Sequence, residues 1–263
     1  MKKLVLIAPA AIVVFLVARR LVPAAAEEVA YVVEVVLLAI LAAAGGWLGG
    51  HRFERGDYLH TAWYASAGAY LALAVSAPLK LLGQGTGIVI GRGVLTFAAN
   101  VLSVSSMWLF ARAYRVAGID LGSRTRKVTA GTVAALLAFG IAGVQLVQAA
   151  RDLFGGRLLA MVNLFGDAGD VATIALIAPI LLTALALRGG ILTWPWAFIA
   201  AANICWLLDD AQGLLETLVP SASGGLADAV SEMWRVAACG LFLAAGLAQR
   251  RLLAPETPTR PPS

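Results

Sequence analysis

Asp209 and Asp210 stand side by side in "NICWLLDDAQGLLE" (203–216), at the end of a tryptophan-bearing apolar run. Adjacent carboxylates in such a place either mark a membrane boundary or line a site that handles cations or protons within it. Other ionisable groups share the setting. Glu34 lies two helical turns past Glu27, about 10 Å deeper at 1.5 Å per residue. Arg92, Thr96, Asn100 and Ser103 recur at +4, +4 and +3, a polar stripe on an otherwise apolar helix. Asp228, Glu232, Arg235 and Cys239 recur at +4, +3 and +4, again on one face. Asn203 shares a face with Asp210, and Asp209 shares the next with Glu216. Gln145 with Gln148, and Asp170 with Thr173, form shorter polar pairs.

A charge turned toward lipid costs at least about 2.5–3.5 kcal/mol, so these stripes are expected to face one another. The result is an outward-opening polar cavity, with Glu34, Asp210 and Glu232 set against Arg92 and Arg235. The candidate ligand- or ion-binding residues are therefore Glu34, Arg92, Asn100, Asn203, Asp209, Asp210, Glu232 and Arg235. A purely structural use of the same groups stays open. Glu232 and Arg235 can pair along their own helix, Arg92 can pair with Glu34 or Asp210, and Asp209 can be an exposed boundary residue.

Catalytic and cofactor chemistry finds little support. No lysine lies in the last two apolar runs, which excludes a retinal Schiff base of the usual kind. His51 and His60 are the only histidines, too few for a histidine-rich zinc site. Cys205 and Cys239 lack a C-x-x-C partner and read as small buried apolar side chains. No G-x-S-x-G elbow or phosphate loop occurs. "FGDAGD" (165–170) with the 209–210 pair hints at an aspartyl dyad, but aspartates at a helix start are also ordinary caps. No catalytic residue, metal or cofactor is expected.

These side chains need a scaffold, and the composition names its solvent. Only 13% of residues are charged and 60% are hydrophobic, with a mean hydropathy of +0.85. Soluble domains carry about 25% charged residues. The chain is expected to be an all-α, polytopic integral membrane bundle. Seven runs are long enough to span: about 28–50, 61–82, 88–112, 128–150, 168–187, 192–216 and 228–249. Residues 1–26 read as a signal peptide or as a signal-anchor helix that adds an eighth span, 27–253 as the seven-helix domain, and 254–263 as a disordered cytoplasmic tail.

Arg52 and Arg55, the 112–127 segment, Arg188, and Arg250 with Arg251 all fall on one side. The positive-inside rule makes that side cytoplasmic, giving N-terminus out and C-terminus in, within the plasma membrane. Trp47, Trp63, Trp108, Trp194 and Trp196 lie near the same ends, as an interfacial belt would. The net charge of +5 comes from scattered loop residues, so nucleic acid is not an expected partner. A weak echo between the first three and last three runs is compatible with a 3+1+3 parallel repeat.

The expected function is binding or transport of a small cationic or zwitterionic solute, or protons, through the outer-half cavity. One rival is a membrane sensor or accessory subunit that recruits a cytoplasmic protein through the basic 112–127 loop. The other is a membrane-embedded, lipid-modifying enzyme using the cavity carboxylates.

Overall fold

Lipid offers no partner to a free N–H or C=O, so each apolar run has to close its hydrogen bonds internally as a helix. In the computed structural model, which describes residues 1–83, 85–219 and 225–253, every one does so. Helix α1 (Ile7–Leu21) follows a 3-10 segment at Lys2–Leu6, and α2 is Glu27–Gly50. Helix α3 (Tyr58–Ser76) continues as a 3-10 segment through Ala77–Leu82. Then come α4 (Thr86–Val116), α5 (Arg124–Phe154), α6 (Ala160–Ala186), α7 (Thr193–Leu218) and α8 (Gly225–Leu252). The tail 254–263 lies outside the described residues, as does the side chain of Asp228.

Among the described residues seven helices are long and apolar enough to cross a membrane, and they are not the seven expected. The N-terminal segment Lys2–Leu21 is among them and α7 is not. Asn203, Asp209 and Asp210 interrupt the apolar course of α7. Its 26 residues still reach about 39 Å, and Phe198, Ile199, Ala200 and Ala202 are buried in the core. The described residues form an eight-helix, all-α bundle of membrane-protein character.

Short connections are fixed locally. The Asp57 carboxylate accepts the Leu59 N–H at 2.7 Å and caps α3, and Ser123 accepts the Arg126 N–H at 3.3 Å to cap α5. Helix α5 runs to Phe154 and α6 begins at Ala160, ahead of the apolar run at 168–187, leaving 155–159 between them. Asp167 and Asp170 consequently sit two to three turns inside α6 instead of capping it, which corrects the capping expectation.

Six helices close a ring in the order α2, α3, α4, α6, α7, α8 and back to α2. Helix α5 packs outside against α6, and α1 packs outside against α8. Two contacts of the ring join parallel helices. Along α2 and α8, Tyr31 meets Arg235, Gly45 meets Leu243, and Arg52 meets the Leu253 carbonyl. Along α4 and α6, Gly93 meets Met161 and Asn100 meets Phe165. The ring is thus two successive triplets, α2–α3–α4 and α6–α7–α8, with α5 as the connector.

The outer surface is apolar. On α5, Leu136 is 69% and Phe139 67% exposed, while Ala134, Ala138, Ala142 and Ala149 form the buried stripe. Apolar residues outside and polar ones toward the ring centre is the pattern lipid imposes. Trp47 and Trp108 are exposed as an interfacial belt requires, but Trp63 is 1% exposed. Its ring lies 5.0 Å from Phe110 and 5.6 Å from Phe242, so it is a core residue and not part of a belt. Gly49 of α2 is the seat for this ring: a Cβ there falls 2.5 Å from the indole.

Candidate functional site

The ring encloses a cavity of about 510 Å³ to which α2, α3, α4, α6, α7 and α8 all contribute. It occupies the half of the bundle remote from the basic loops. The reason is helical periodicity: the polar stripe of α4 and the polar residues Asn203, Asp209 and Asp210 of α7 sit on inward faces, as does Arg235 of α8. Trp63, Phe110, Phe242 and Trp196 fill the other half, with Phe110 and Trp196 edge to face at 5.9 Å. Above that plug Ser106 donates to the Ala62 carbonyl at 2.8 Å and meets the Ser66 hydroxyl, which tethers α3 to α4.

Of the residues singled out in the sequence, Arg92, Asn100, Asn203, Asp209, Asp210 and Arg235 all line this cavity. Glu34 lies in an adjoining recess of about 50 Å³ with Tyr31, Tyr70, Trp206 and Cys239. Glu232 turns away from both. Its carboxylate accepts a charged hydrogen bond from Arg19 of α1 at 2.9 Å, and this pair docks the N-terminal helix on α8. Gly240 of α8 helps by leaving room for Ala8, whose Cα is 3.2 Å from where a Cβ would stand.

Several pairings differ from those the sequence left open. Arg235 does not pair along its own helix with Glu232; its Nε donates to Asp209 at 2.8 Å and its Nη1 to the Tyr31 hydroxyl at 2.8 Å. Nη2 reaches the Ser231 hydroxyl at 3.1 Å, and Ser231 also bonds the second oxygen of Asp209. Asp209, with its side chain 10% exposed, is therefore a buried partner and no boundary residue. Asn203 donates to the Ile199 carbonyl at 2.8 Å and Asn100 to the Phe165 carbonyl at 2.7 Å.

Four charged groups remain. Among the described residues Lys80, Arg92, Asp170 and Asp210 take part in no salt bridge, although all four line the cavity. Asp170 lies within electrostatic reach of Asp210, Asp167 and Asp209. Carboxylates gathered within electrostatic reach of one another cost stability, so Asp210→Asn is expected to stabilise the bundle by about 0.5–2 kcal/mol. Thermal unfolding in detergent micelles measures this. A clear loss of stability shows instead that Asp210 holds the fold together.

In the sequence Asp170 appeared as a pair with Thr173 and, within "FGDAGD", as a possible dyad partner of the 209–210 pair. The fuller sign is Gly166, Asp170, Thr173 and Ile177 at +4, +3 and +4, one inward face of α6. Tyr31, Tyr70, Lys80 and Trp206 were not singled out for the site either. The Trp206 N–H donates to the Tyr70 hydroxyl at 3.4 Å, and the Lys80 ammonium lies 5.0 Å over the Tyr31 ring.

Elsewhere the candidates are taken up locally. His51 stacks on Trp47 and His60 on Tyr64, the latter pair at 4.4 Å. Among the described residues no group of three or more His, Cys, Asp or Glu is placed to hold a metal ion. In the 112–127 segment the Asp120 carboxylate accepts the Gly122 N–H at 2.9 Å, and Gly122 adopts a positive φ of 92°. That bond, with Lys127 at 3.5 Å, holds the Asp120 carboxyl below its usual range. The contribution to loop order is present at neutral pH and lost in acid as the carboxylate takes up a proton.

No known protein family, no curated protein and no solved structure matches this chain.

Proposed function

We propose that the chain binds a small cationic or zwitterionic solute in the ring cavity and passes it across the plasma membrane. One observation carries this reading: unpaired charges of both signs, Arg92 against Asp170 and Asp210, line a single cavity. A structural ion-pair network consumes its charges, as Asp209 and Arg235 do here. Charges left facing a cavity await a partner from outside.

Two further features support it. The basic loops gather at the end opposite the cavity, and with the positive-inside rule this puts the cavity in the outer half, N-terminus out for the seven-helix unit and C-terminus in. The aromatic cluster around Trp63 fills the half of the ring beyond the cavity, as a closed inner gate would. Two parallel triplets give a means of alternation, since one can rock against the other around a fixed site.

Uptake by proteoliposomes tests the reading, with [14C]methylammonium and [14C]4-aminobutyrate as the probes. The native chain is expected to accumulate at least one of them. Asp210→Asn and Arg92→Gln should each reduce uptake at least tenfold while the protein still unfolds at or above the native temperature. Uptake of neither probe, or variants that fail only because they do not fold, overturns it.

A further inference from the structure

We infer that the solute is an extended zwitterion, held with its cationic end deep in the cavity and its anionic end toward the mouth. This rests on the solute-binding reading above and specifies what the cavity takes. The register of α4 against α6 separates Arg92 from Asp170 along the helix axis. Asp170 follows Gly169, which packs directly on Asn100, so this carboxylate stands level with the middle of α4. Asp210 belongs to the neighbouring helix and lies one turn from Trp206, on the same face. Trp206 and Tyr70 add two aromatic rings to that end of the cavity, surfaces that favour an ammonium group.

The unpaired cations lie elsewhere. Arg92 precedes Asn100 by eight residues on α4, about 12 Å nearer the outer end. Lys80, exposed and also lining the cavity, stands farther out over Tyr31. Arg235 does not count as a free cation, because Asp209 neutralises it. A lone cation leaves Arg92 without an anion, and a lone anion leaves Asp170 and Asp210 facing each other. A molecule with both charges satisfies both ends. After allowance for the reach of the arginine side chain, the 12 Å offset matches charges several ångströms apart, too far for an α-amino acid. Thr96 and Ser103, on the same face of α4, offer hydroxyls along the way. The cavity volume of about 510 Å³ suits a ligand of that size. A free ω-amino acid and a zwitterionic lipid headgroup present the same chemistry.

Calorimetric titration of the full chain in maltoside micelles tests this, with glycine, 4-aminobutyrate and 6-aminohexanoate as probes and butylammonium and butyrate as controls. One of the two longer zwitterions is expected to bind at least about tenfold tighter than glycine and than either control. Arg92→Gln should abolish that advantage and leave butylammonium unchanged, whereas Asp170→Asn should weaken both. Competition by dihexanoyl phosphatidylethanolamine identifies a headgroup as the source, and its failure identifies a soluble solute; either result keeps the zwitterion. Butylammonium binding as tightly as the zwitterions, with Arg92→Gln silent, overturns the zwitterion and leaves solute binding standing. Glycine binding best overturns the extended form. No binding by any probe to folded protein removes both readings.

Discussion

Replacing Arg235 with alanine is expected to destabilise the bundle by about 2–4 kcal/mol, whereas Arg92→Gln should cost less than about 0.5 kcal/mol. Both residues are arginines in the same cavity, and the difference lies in what each leaves behind. Arg235 binds Asp209 of α7 and Tyr31 of α2, so its loss strips three helices of a shared contact. The Asp209 carboxylate then keeps only the Ser231 hydroxyl, in a setting where its side chain is 10% exposed. An ion buried without its partner accounts for most of the penalty. The cavity admits some water, which is why the estimate stays below the upper limit for fully buried pairs. Arg92 leaves nothing unpaired behind it.

Unfolding in mixed micelles gives the stabilities, and a cycle with Asp209→Asn gives the coupling, expected at about 1.5–3 kcal/mol. If Arg235→Ala proves as mild as Arg92→Gln, the division between a structural pair and waiting charges is wrong. The proposed site then loses its physical basis, because the division is what separates a locked network from a cavity prepared for a guest.

Much of this arrangement was legible before any coordinates. Period 3.6 places Arg92, Asn100 and Ser103 on one side of α4, and the cost of charge in lipid sends that side inward. Six of the eight singled-out residues consequently line one cavity. Partner choice was not legible, because it depends on rotation and neighbour order. Glu232 and Arg235 are three residues apart on α8, yet Glu232 faces α1 and Arg235 faces α7. The sequence cannot show that α1 docks there, so it cannot show that Glu232 is claimed by Arg19.

Trp63 misled for a related reason. A tryptophan near a helix end reads as an interfacial anchor, and only the glycines of α2, which let the indole sink between helices, reveal it as core. The start of α6 was missed because a charged "FGD" interrupts the apolar run. Asp170 is tolerated inside the helix by virtue of lining the cavity, within electrostatic reach of Asp210.

The glycines also carry the second large prediction. Gly246→Ala is expected to cost about 3 kcal/mol, and Gly246→Val to prevent folding. A Cβ on Gly246 runs into the carbonyl of Gly45, and one on Gly45 falls 2.7 Å from the Cα of Leu243. Backbone opposes backbone on both sides, so no side chain can swing away and the helices have to separate. Gly131→Ala on α5 is the internal control. Nothing lies within 4 Å of its added methyl, and it should be neutral or gain about 0.5–1 kcal/mol. Equal tolerance of the two alanines would falsify the close α2–α8 contact.

The consequence reaches the site, because this parallel contact sets the level at which Tyr31 meets Arg235 and so fixes one wall of the cavity. Gly169 does the same for the opposite parallel contact, where its Cα packs on Asn100 of α4. Its alanine variant displaces α6 and the adjacent Asp170 together. Solute affinity should therefore fall with Gly169→Ala beyond any fall in stability, whereas Gly246→Ala should show chiefly as a loss of stability. Two substitutions of the same chemistry, at the two parallel contacts of one ring, then separate the contact that holds the bundle from the contact that shapes its cavity.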